Sequence, residues 1–128
     1  MVIDASALVA ILNTEPEQAS FLRLMARTSV KRMSPVNWFE AAIIVERGGP
    51  QASAGLEEFV RRSQIQIMPV ESDHMMLALE AWRNFGKGRH AAALNLGDCF
   101  AYALAKYVRE PLLFKGEDFR KTDITAAL

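Results

Sequence analysis

The chain has 128 residues, of which 51% are apolar, and its 15 basic and 15 acidic side chains give a formal net charge of zero. This composition argues against a disordered chain and fits one domain, which we expect to span residues 1–128. Zero net charge also argues against a module that holds nucleic acid by bulk charge alone, although it leaves room for a local basic rim.

Cysteine content and hydropathy indicate the cellular compartment in which the protein is expected. Cys99 is the single cysteine, so no disulfide framework or zinc cluster can form within one chain. No apolar run approaches the roughly 18 residues of a membrane span, and the N-terminus lacks the pattern of a signal peptide. We therefore expect a cytoplasmic protein without a membrane segment.

The first half of the chain alternates short apolar segments with amphipathic ones. Thr14 and Glu17 have capping-box spacing, with Pro16 in the first turn of the helix that they would start. The breaker Gly48-Gly49-Pro50 separates two further helices. The predicted elements are a strand at Val2–Ile3, helices at 5–12 and about 16–27, a strand at 30–33, a helix at about 36–47 and another beyond residue 50.

The second half continues the alternation. Residues 65–70 alternate in polarity and meet a proline, which predicts a strand. The glycine-basic loop of residues 86–90 contains glycines that would let the backbone approach a phosphate closely. The remaining predictions are a helix capped near Ser72 or Asp73 and ending near residue 85, a helix at 97–109, a strand at 112–114 and a candidate last strand near Ile124.

This order of elements predicts a three-layer α/β fold, with a mostly parallel, short-stranded sheet flanked by helices. No internal repeat, linker or low-complexity segment interrupts it. Ligands of such sheets bind beyond the carboxyl ends of the strands, near the point where the strand order reverses.

Four acidic residues lie in or beside apolar stretches, where an unpaired carboxylate is costly. Asp4 ends the first strand, Asp98 opens the long apolar helix, and Asp118 follows the fourth strand. Glu40 lies on a helix face that it shares with apolar side chains. Three acids thus fall on one sheet edge with Glu40 directed inward. A hard divalent cation, Mg²⁺ or Mn²⁺, would relieve their repulsion.

Each acid also has a simpler structural explanation. Asp4 and Asp98 could cap helices, Asp118 could be a turn residue, and Glu40 could pair with Arg47. The coincidence of all four in one fold favours a common site. Because a bound cation can activate water and stabilise charge on a phosphate, such a site suggests phosphodiester hydrolysis.

For three polar residues near these acids, the sequence allows both a functional and a structural role. Ser6 could orient water at the site or cap the first helix. Asn37, about one turn before Glu40, is equally open. His90 lies in the basic loop and could contact phosphate.

Four stretches span nearly the whole chain and carry a resemblance to a known family. They are MVIDASALVAIL, SPVNWFEAAIIVE, FGKGRHAAALNLGDCFAYALAK and PLLFKGEDFRKTDI. With these stretches the chain resembles the PIN-domain ribonucleases, and more closely the VapC toxins of VapBC toxin–antitoxin pairs. The pair GDCFAYALAK and PLLFKGEDF at this spacing is the specific signal, whereas the first stretch alone is weak.

The resemblance implies a PIN-like fold and a Mg²⁺- or Mn²⁺-dependent endoribonuclease. Its acidic quartet matches Asp4, Glu40, Asp98 and Asp118, of which Asp4 and Asp98 would bind the metal most directly. Hydrolysis of RNA by water would leave a 5′-phosphate and a 3′-hydroxyl. The resemblance also implies a homodimer, and inhibition by a VapB-like antitoxin that inserts a segment into the active-site groove.

The fourth acidic position has competitors. Glu117 is adjacent to Asp118, and Asp123 follows a few residues later. The chain also departs from many PIN domains here, because the turn Lys115-Gly116 replaces the threonine found before the fourth acid.

Two other functions remain as alternatives. A non-enzymatic α/β metal-binding signalling module of the receiver type would also carry acids around Mg²⁺. It would need adjacent acids after the first strand, but Asp4 is followed by Ala5, and residues 65–70 end without an aspartate. A catalytically idle fold used only for binding is the other alternative, against which the intact quartet argues.

Overall fold

Strands and helices alternate along the whole chain in the computed structural model, which describes residues 1–128. None of the helices has the length and apolarity that a membrane span requires. The elements are β1 Val2–Ile3, α1 Ala5–Leu12, α2 Gln18–Arg27, β2 Lys31–Met33, α3 Pro35–Glu46, α4 Pro50–Arg62, β3 Ile65–Ile67, α5 Ser72–Phe85, α6 Leu96–Val108, β4 Leu112–Leu113 and a short 3₁₀ helix at Phe119–Lys121.

The four strands form one parallel sheet in the order β3-β2-β1-β4. Val2 of β1 lies opposite Arg32 on one side and Leu112 on the other. The chain moves outward from β1 to β3 and then returns to add β4 on the far side of β1. The strand order therefore reverses between β1 and β4, and a crevice is expected beyond their carboxyl ends.

Alternating side chains of the short strands divide the apolar core between the two faces of the sheet. Ile3 and Leu113 belong to a cluster with buried residues of α1 to α4. Val2 and Leu112 belong to a second cluster with residues of α5 and α6. This period of two is the pattern that a sheet covered on both faces requires. The predicted three-layer α/β architecture is confirmed.

Several predicted boundaries were wrong. The capping box at Thr14 and Glu17 does not form: Thr14 has a φ of 56°, and α2 begins only at Gln18, after Glu17. Helix α5 begins one residue earlier than its predicted cap allows, with Glu71 as the N-cap. Strand β3 ends at Ile67 rather than at residue 70, because Pro69 has no N–H to donate to a neighbouring strand.

The C-terminal tail covers the outer edge of β4. The Leu112 N–H donates to the Thr125 carbonyl, and the Ala127 N–H donates to the Leu112 carbonyl, both at 2.9 Å. The last strand predicted near Ile124 is thus reduced to a single parallel bridge between Leu112 and Ala126.

Candidate active site

Asp4 ends β1 and caps α1. Its Oδ2 accepts hydrogen bonds from the Ser6 N–H at 3.0 Å and from the Ser6 hydroxyl at 2.5 Å. The side chain is almost fully buried, and burial raises the pKa of Asp4 although the hydrogen bonds from Ser6 and Ala5 lower it. Asp4 is therefore a helix cap, which was the simpler structural explanation for it. Its hydrogen bonds do not fully offset the cost of burying its negative charge.

Ser6 connects this carboxylate to the end of β4. Its Oγ accepts a hydrogen bond from the Lys115 N–H at 3.0 Å while its hydroxyl donates to Asp4. The Lys115-Gly116 turn, where the chain departs from many PIN domains, thus contributes a backbone donor to the same network. The network ties the carboxyl ends of β1 and β4 together at the point of strand reversal.

Asn37 connects Asp4 to α6. Its side chain is fully buried on α3, and its Nδ2 donates to Asp4 Oδ1 at 3.2 Å and to the Gly97 carbonyl at 2.9 Å. In the sequence, Asn37 stands out only as a polar residue within the apolar run from Val36 to Phe39. Its hydrogen-bond partners are 33 and 60 residues away, so the sequence does not reveal them.

Glu40 lies one turn further along α3, and its carboxylate packs against Gly97. A Cβ placed on Gly97 would come within 2.1 Å of Glu40 Oε2, so the glycine makes this approach possible. Burial raises the pKa of Glu40, the charge of Asp4 raises it further, and the Asn37 amide opposes the shift. The groups that act on Glu40 are Asp4 and Asn37, so the alternative of a pair with Arg47 gains no support.

Asp98 lies in the first turn of α6 and forms a capping box with Asn95. The Asn95 N–H donates to Asp98 Oδ2 at 2.9 Å, and the Asp98 N–H donates to Asn95 Oδ1 at 2.8 Å. Burial raises the pKa of Asp98 to about 7 against the hydrogen bond from Asn95, and the charges of Asp4, Glu40 and Asp118 add to the rise. The other three acids are therefore close enough for their charges to act on Asp98.

Asp118 is the outer member of this group. Its side chain is 59% exposed and lies 3.5 Å from Lys121 Nζ, yet its charge acts on Asp98. Glu117 is 75% exposed and faces Arg120 at 3.6 Å. Between these two neighbours, the geometry favours Asp118 as the fourth acid.

Asp123, the other competitor, belongs to a separate cluster. Its carboxylate accepts hydrogen bonds from the Tyr102 hydroxyl at 2.9 Å and from Lys106 Nζ at 2.6 Å. Although burial raises the pKa of Asp123, the hydrogen bonds from Lys106 and Tyr102 hold it below its usual value. Asp123 is thus paired within its own cluster, whereas the charge of Asp118 acts on Asp98.

The glycine-basic loop is held by local contacts. Gly88 has a φ of 82°, a conformation that glycine adopts readily. His90 Nδ1 accepts a hydrogen bond from the Ala92 N–H at 3.0 Å, and the Arg89 guanidinium lies 4.1 Å above the Trp82 ring. The phosphate contact expected of His90 stays a prediction.

The donor set fits a hard cation. Asp4, Glu40 and Asp98 offer only oxygen atoms, and each has a raised pKa, so positive charge is what this edge lacks. As placed, no three acidic, histidine or cysteine side chains come close enough together to hold an ion. One oxygen of Asp98, Oδ2, already accepts a hydrogen bond from the Asn95 N–H.

Comparisons with known proteins agree with this fold. The PIN domain family model matches residues 1–124. The chain is 46% identical over 127 residues to "Ribonuclease VapC" of Mycolicibacterium smegmatis, covering 98% of each chain. It is 45% identical over 130 residues to "Ribonuclease VapC30" of Mycobacterium tuberculosis, covering 100% of this chain and 99% of that one.

Solved structures share the fold at low sequence identity. The M. tuberculosis toxin VapC20, described as cleaving the sarcin–ricin loop, superposes with a TM-score of 0.79 at 16% identity, covering 97% of this chain and 95% of that one. A chain of a toxin–antitoxin complex from Klebsiella pneumoniae gives a TM-score of 0.74 at 16% identity, covering 95% and 92%.

The chain belongs to the PIN-domain family. Within that family its relatives over the full length are VapC ribonucleases, which confirms the resemblance seen in the sequence. The alternative of a receiver-like signalling module finds no support.

The raised pKa of Asp98 predicts a pH-dependent gain in stability when its charge is removed. The folded protein favours protonated Asp98, so the contribution of this group is most favourable below its ordinary pKa of 3.8 and is lost as the pH rises through about 7. In metal-free buffer, we expect Asp98→Asn to raise the Tm by a growing margin across that window.

Thermal melts from pH 4 to 8 in chelator measure this margin. Asp123→Asn is the matched control, and it should lower the Tm. The pKa of Asp123 is lowered in the folded protein, so its charge stabilises the fold when the pH is above 3.8, and this contribution is lost as the pH falls below that value. A Tm that falls at pH 8 in Asp98→Asn would contradict the electrostatic interpretation.

Proposed function

We propose that this protein is a Mg²⁺- or Mn²⁺-dependent endoribonuclease that acts as the toxin of a toxin–antitoxin pair, with residues 1–128 working as one PIN-like domain. The observation that carries the proposal is the convergence of Asp4, Glu40, Asp98 and Asp118 at the sheet edge, where burial raises the pKa of Asp98 to about 7 and the charges of the other three acids add to the rise. Full-length relatives named as VapC ribonucleases support the reaction class.

The four acids would contribute to cation binding from different elements of the fold. Asp4 and Asp98 would bind the cation most directly, because they are carried by helix ends beside the crevice. Glu40 and Asp118 would complete the site from α3 and from the loop after β4. When bound, a divalent cation would activate water and offset the negative charge of the phosphate.

Two polar residues, Ser6 and Asn37, orient the Asp4 carboxylate at the edge where RNA would bind. Ser6 and Asn37 hold the two oxygens of Asp4 in fixed directions, and buried carboxylates repel a phosphate until a cation neutralises them. The RNA substrate would be met in the cytoplasm. A VapB-like antitoxin would hold the enzyme inactive, a proposal supported by the structural likeness to a chain of a toxin–antitoxin complex from Klebsiella pneumoniae.

Asp98→Asn should lower the rate of RNA cleavage about 100-fold or more, because it removes one of the charges that hold the cation. Purified wild type should cleave total RNA with Mg²⁺ or Mn²⁺ and stop when chelator is added. Mapping the cleavage ends in total RNA, wild type against Asp98→Asn, measures both the activity and the sites that are cut.

The same assay ranks the three candidates for the fourth acid. Asp118→Asn should lose activity, because the charge of Asp118 acts on Asp98, whereas Glu117→Gln and Asp123→Asn should retain it. Full cleavage by Asp98→Asn, or loss in Glu117→Gln with none in Asp118→Asn, would show that the site is wrongly assigned.

Gly97→Ala should reduce cleavage about 10- to 100-fold without unfolding the protein. The new methyl group would occupy the space of Glu40 Oε2, and a flexible carboxylate can move aside while the fold persists. Gly55→Ala on α4 is the matched control, because its Cβ would meet nothing within 4 Å. The control should melt slightly higher and cleave RNA normally; a loss of activity equal in both variants would contradict the argument.

We also propose a homodimer through one apolar face. This face consists of Phe39, Ile43, Met75, Leu79 and Leu96, whose exposures lie between 38% and 70%. Leu96 joins its two halves, since it lines both a depression of about 350 Å³ beside α5 and one of about 380 Å³ beside α3. Large exposed apolar patches of this kind mark interaction sites, and the depression beside α3 also includes Glu40.

Met75→Glu should convert the dimer to a monomer, because a charge would be buried at the interface. Light scattering after size-exclusion chromatography measures the mass, which for wild type should be twice that of one chain. Met76→Glu is the matched control: Met76 has nearly the same exposure, 56% against 55%, but lies on the other side of α5 beside Tyr107. A wild-type monomer, or dissociation by both variants, would contradict this assignment.

A further inference from the structure

The amide of Asn37 is the most enclosed polar side chain beside the acidic edge. It is 0% exposed, and it reaches two separate parts of the chain, the Asp4 carboxylate at the end of β1 and the Gly97 carbonyl in the first turn of α6. Its partners are 33 and 60 residues away in sequence. The contact is therefore a tertiary connection between the elements that carry the acids.

The orientation of this amide follows from its partners. Asp4 Oδ1 and the Gly97 carbonyl are both acceptors, so the group that faces them must be the NH₂ with its two donors. Turning the amide over would bring its oxygen against both of them and leave no donor in place. The contact has only one chemically acceptable arrangement.

The other end of the amide is unpaired. Asn37 Oδ1 is buried and has no hydrogen-bond partner, an arrangement that costs stability and is uncommon in folded proteins. Asparagine is also a poor helix former, and α3 carries it in its first turn. The two hydrogen bonds of Nδ2 thus come with a cost in stability at Oδ1.

The two oxygens of Asp4 are held by different groups. Ser6 donates to Oδ2, whereas Asn37 donates to Oδ1. Without Asn37, the carboxylate would still cap α1 through Ser6, but it could rotate about its Oδ2 contacts, and α6 would lose its link to β1 at Gly97. Since Asp98 is the residue after Gly97, both of the acids expected to bind the cation most directly would be affected.

We propose that Asn37 is a positioning residue that fixes the Asp4 carboxylate relative to the start of α6, so that Asp4 and Asp98 can bind one divalent cation. The inference rests on the proposed function and names a determinant of its cation affinity. Asn37 acts through Asp4 and Gly97 and does not itself bind the ion. Groups that orient metal ligands in this way typically change affinity or activity about 10- to 100-fold when they are removed.

The test measures cation binding directly. Isothermal titration of the metal-free protein with Mn²⁺, in the absence of RNA, compares wild type with Asn37→Leu, which keeps the volume but removes both donors. We expect Mn²⁺ to bind about 10-fold or more weakly to the variant, and kcat for RNA cleavage to fall while KM for RNA stays unchanged. Asn37→Ala provides a second variant that should show the same losses.

His74→Leu is the matched control. His74 is also a buried polar residue, 3% exposed, with an unpaired Nε2 atom, but it packs against Tyr107 away from the acids. A thermal melt shows whether each variant folds and how far the substitution changes its stability. His74→Leu should shift the Tm and leave Mn²⁺ affinity and kcat unchanged.

The outcomes separate the two levels of the argument. If wild type neither binds Mn²⁺ nor cleaves RNA, both the proposed function and the positioning role of Asn37 are overturned. If wild type does both and the folded Asn37 variants match it, only the positioning role is overturned. Failure of both Asn37 variants to fold, with His74→Leu folded, would make Asn37 a folding residue and would overturn the role as well.

Discussion

The hydrogen bonds of one buried amide determine how the acidic edge is assembled. A parallel sheet brings the ends of β1 and β4 together by its topology, but topology alone does not set the distance between β1 and the first turn of α6. Asn37 links the two, by donating to Asp4 and to the Gly97 carbonyl from a position on α3. The close approach of α6 in turn requires Gly97 to have no side chain, because Glu40 fills that space. Three elements are thus held in register by contacts between neutral groups and acids, with no basic side chain among them.

The acids of the site also build the fold locally. Asp4 caps α1, and Asp98 completes the capping box of α6, so each carboxylate has a structural role at a helix N-terminus, where negative charge is favoured. Their pKa values are nevertheless raised. Burial, joined at Asp98 by the charges of Asp4, Glu40 and Asp118, therefore outweighs the favourable effect of the helix ends. Gathering several carboxylates in one place therefore costs stability, as is common for active sites.

Much of this could be predicted from the sequence, because local patterns carry it. Alternation of short apolar segments with amphipathic ones predicts the three-layer fold, and carboxylates inside apolar runs single out Asp4, Glu40 and Asp98. What could not be predicted depends on distances between elements. The partners of Asn37 and the space beside Gly97 leave no mark within either segment. The spacing of Thr14 and Glu17 satisfies the rule for a capping box, but the chain turns through a positive φ at Thr14 instead. Glu117 and Asp118 are neighbours in a turn, so only their different surroundings separate them.

The tail that pairs with Leu112 makes the two edges of the sheet unequal. Residues 125–127 occupy the outer side of β4, so that strand presents no free row of backbone donors and acceptors. At the opposite end, β3 is the last strand of the sheet, and Ile67 there is 41% exposed. Open strand edges are where chains add to one another. Strand exchange or early aggregation would therefore start at β3, two strands away from β1. Shortening the tail would create a second such edge directly beside the acids.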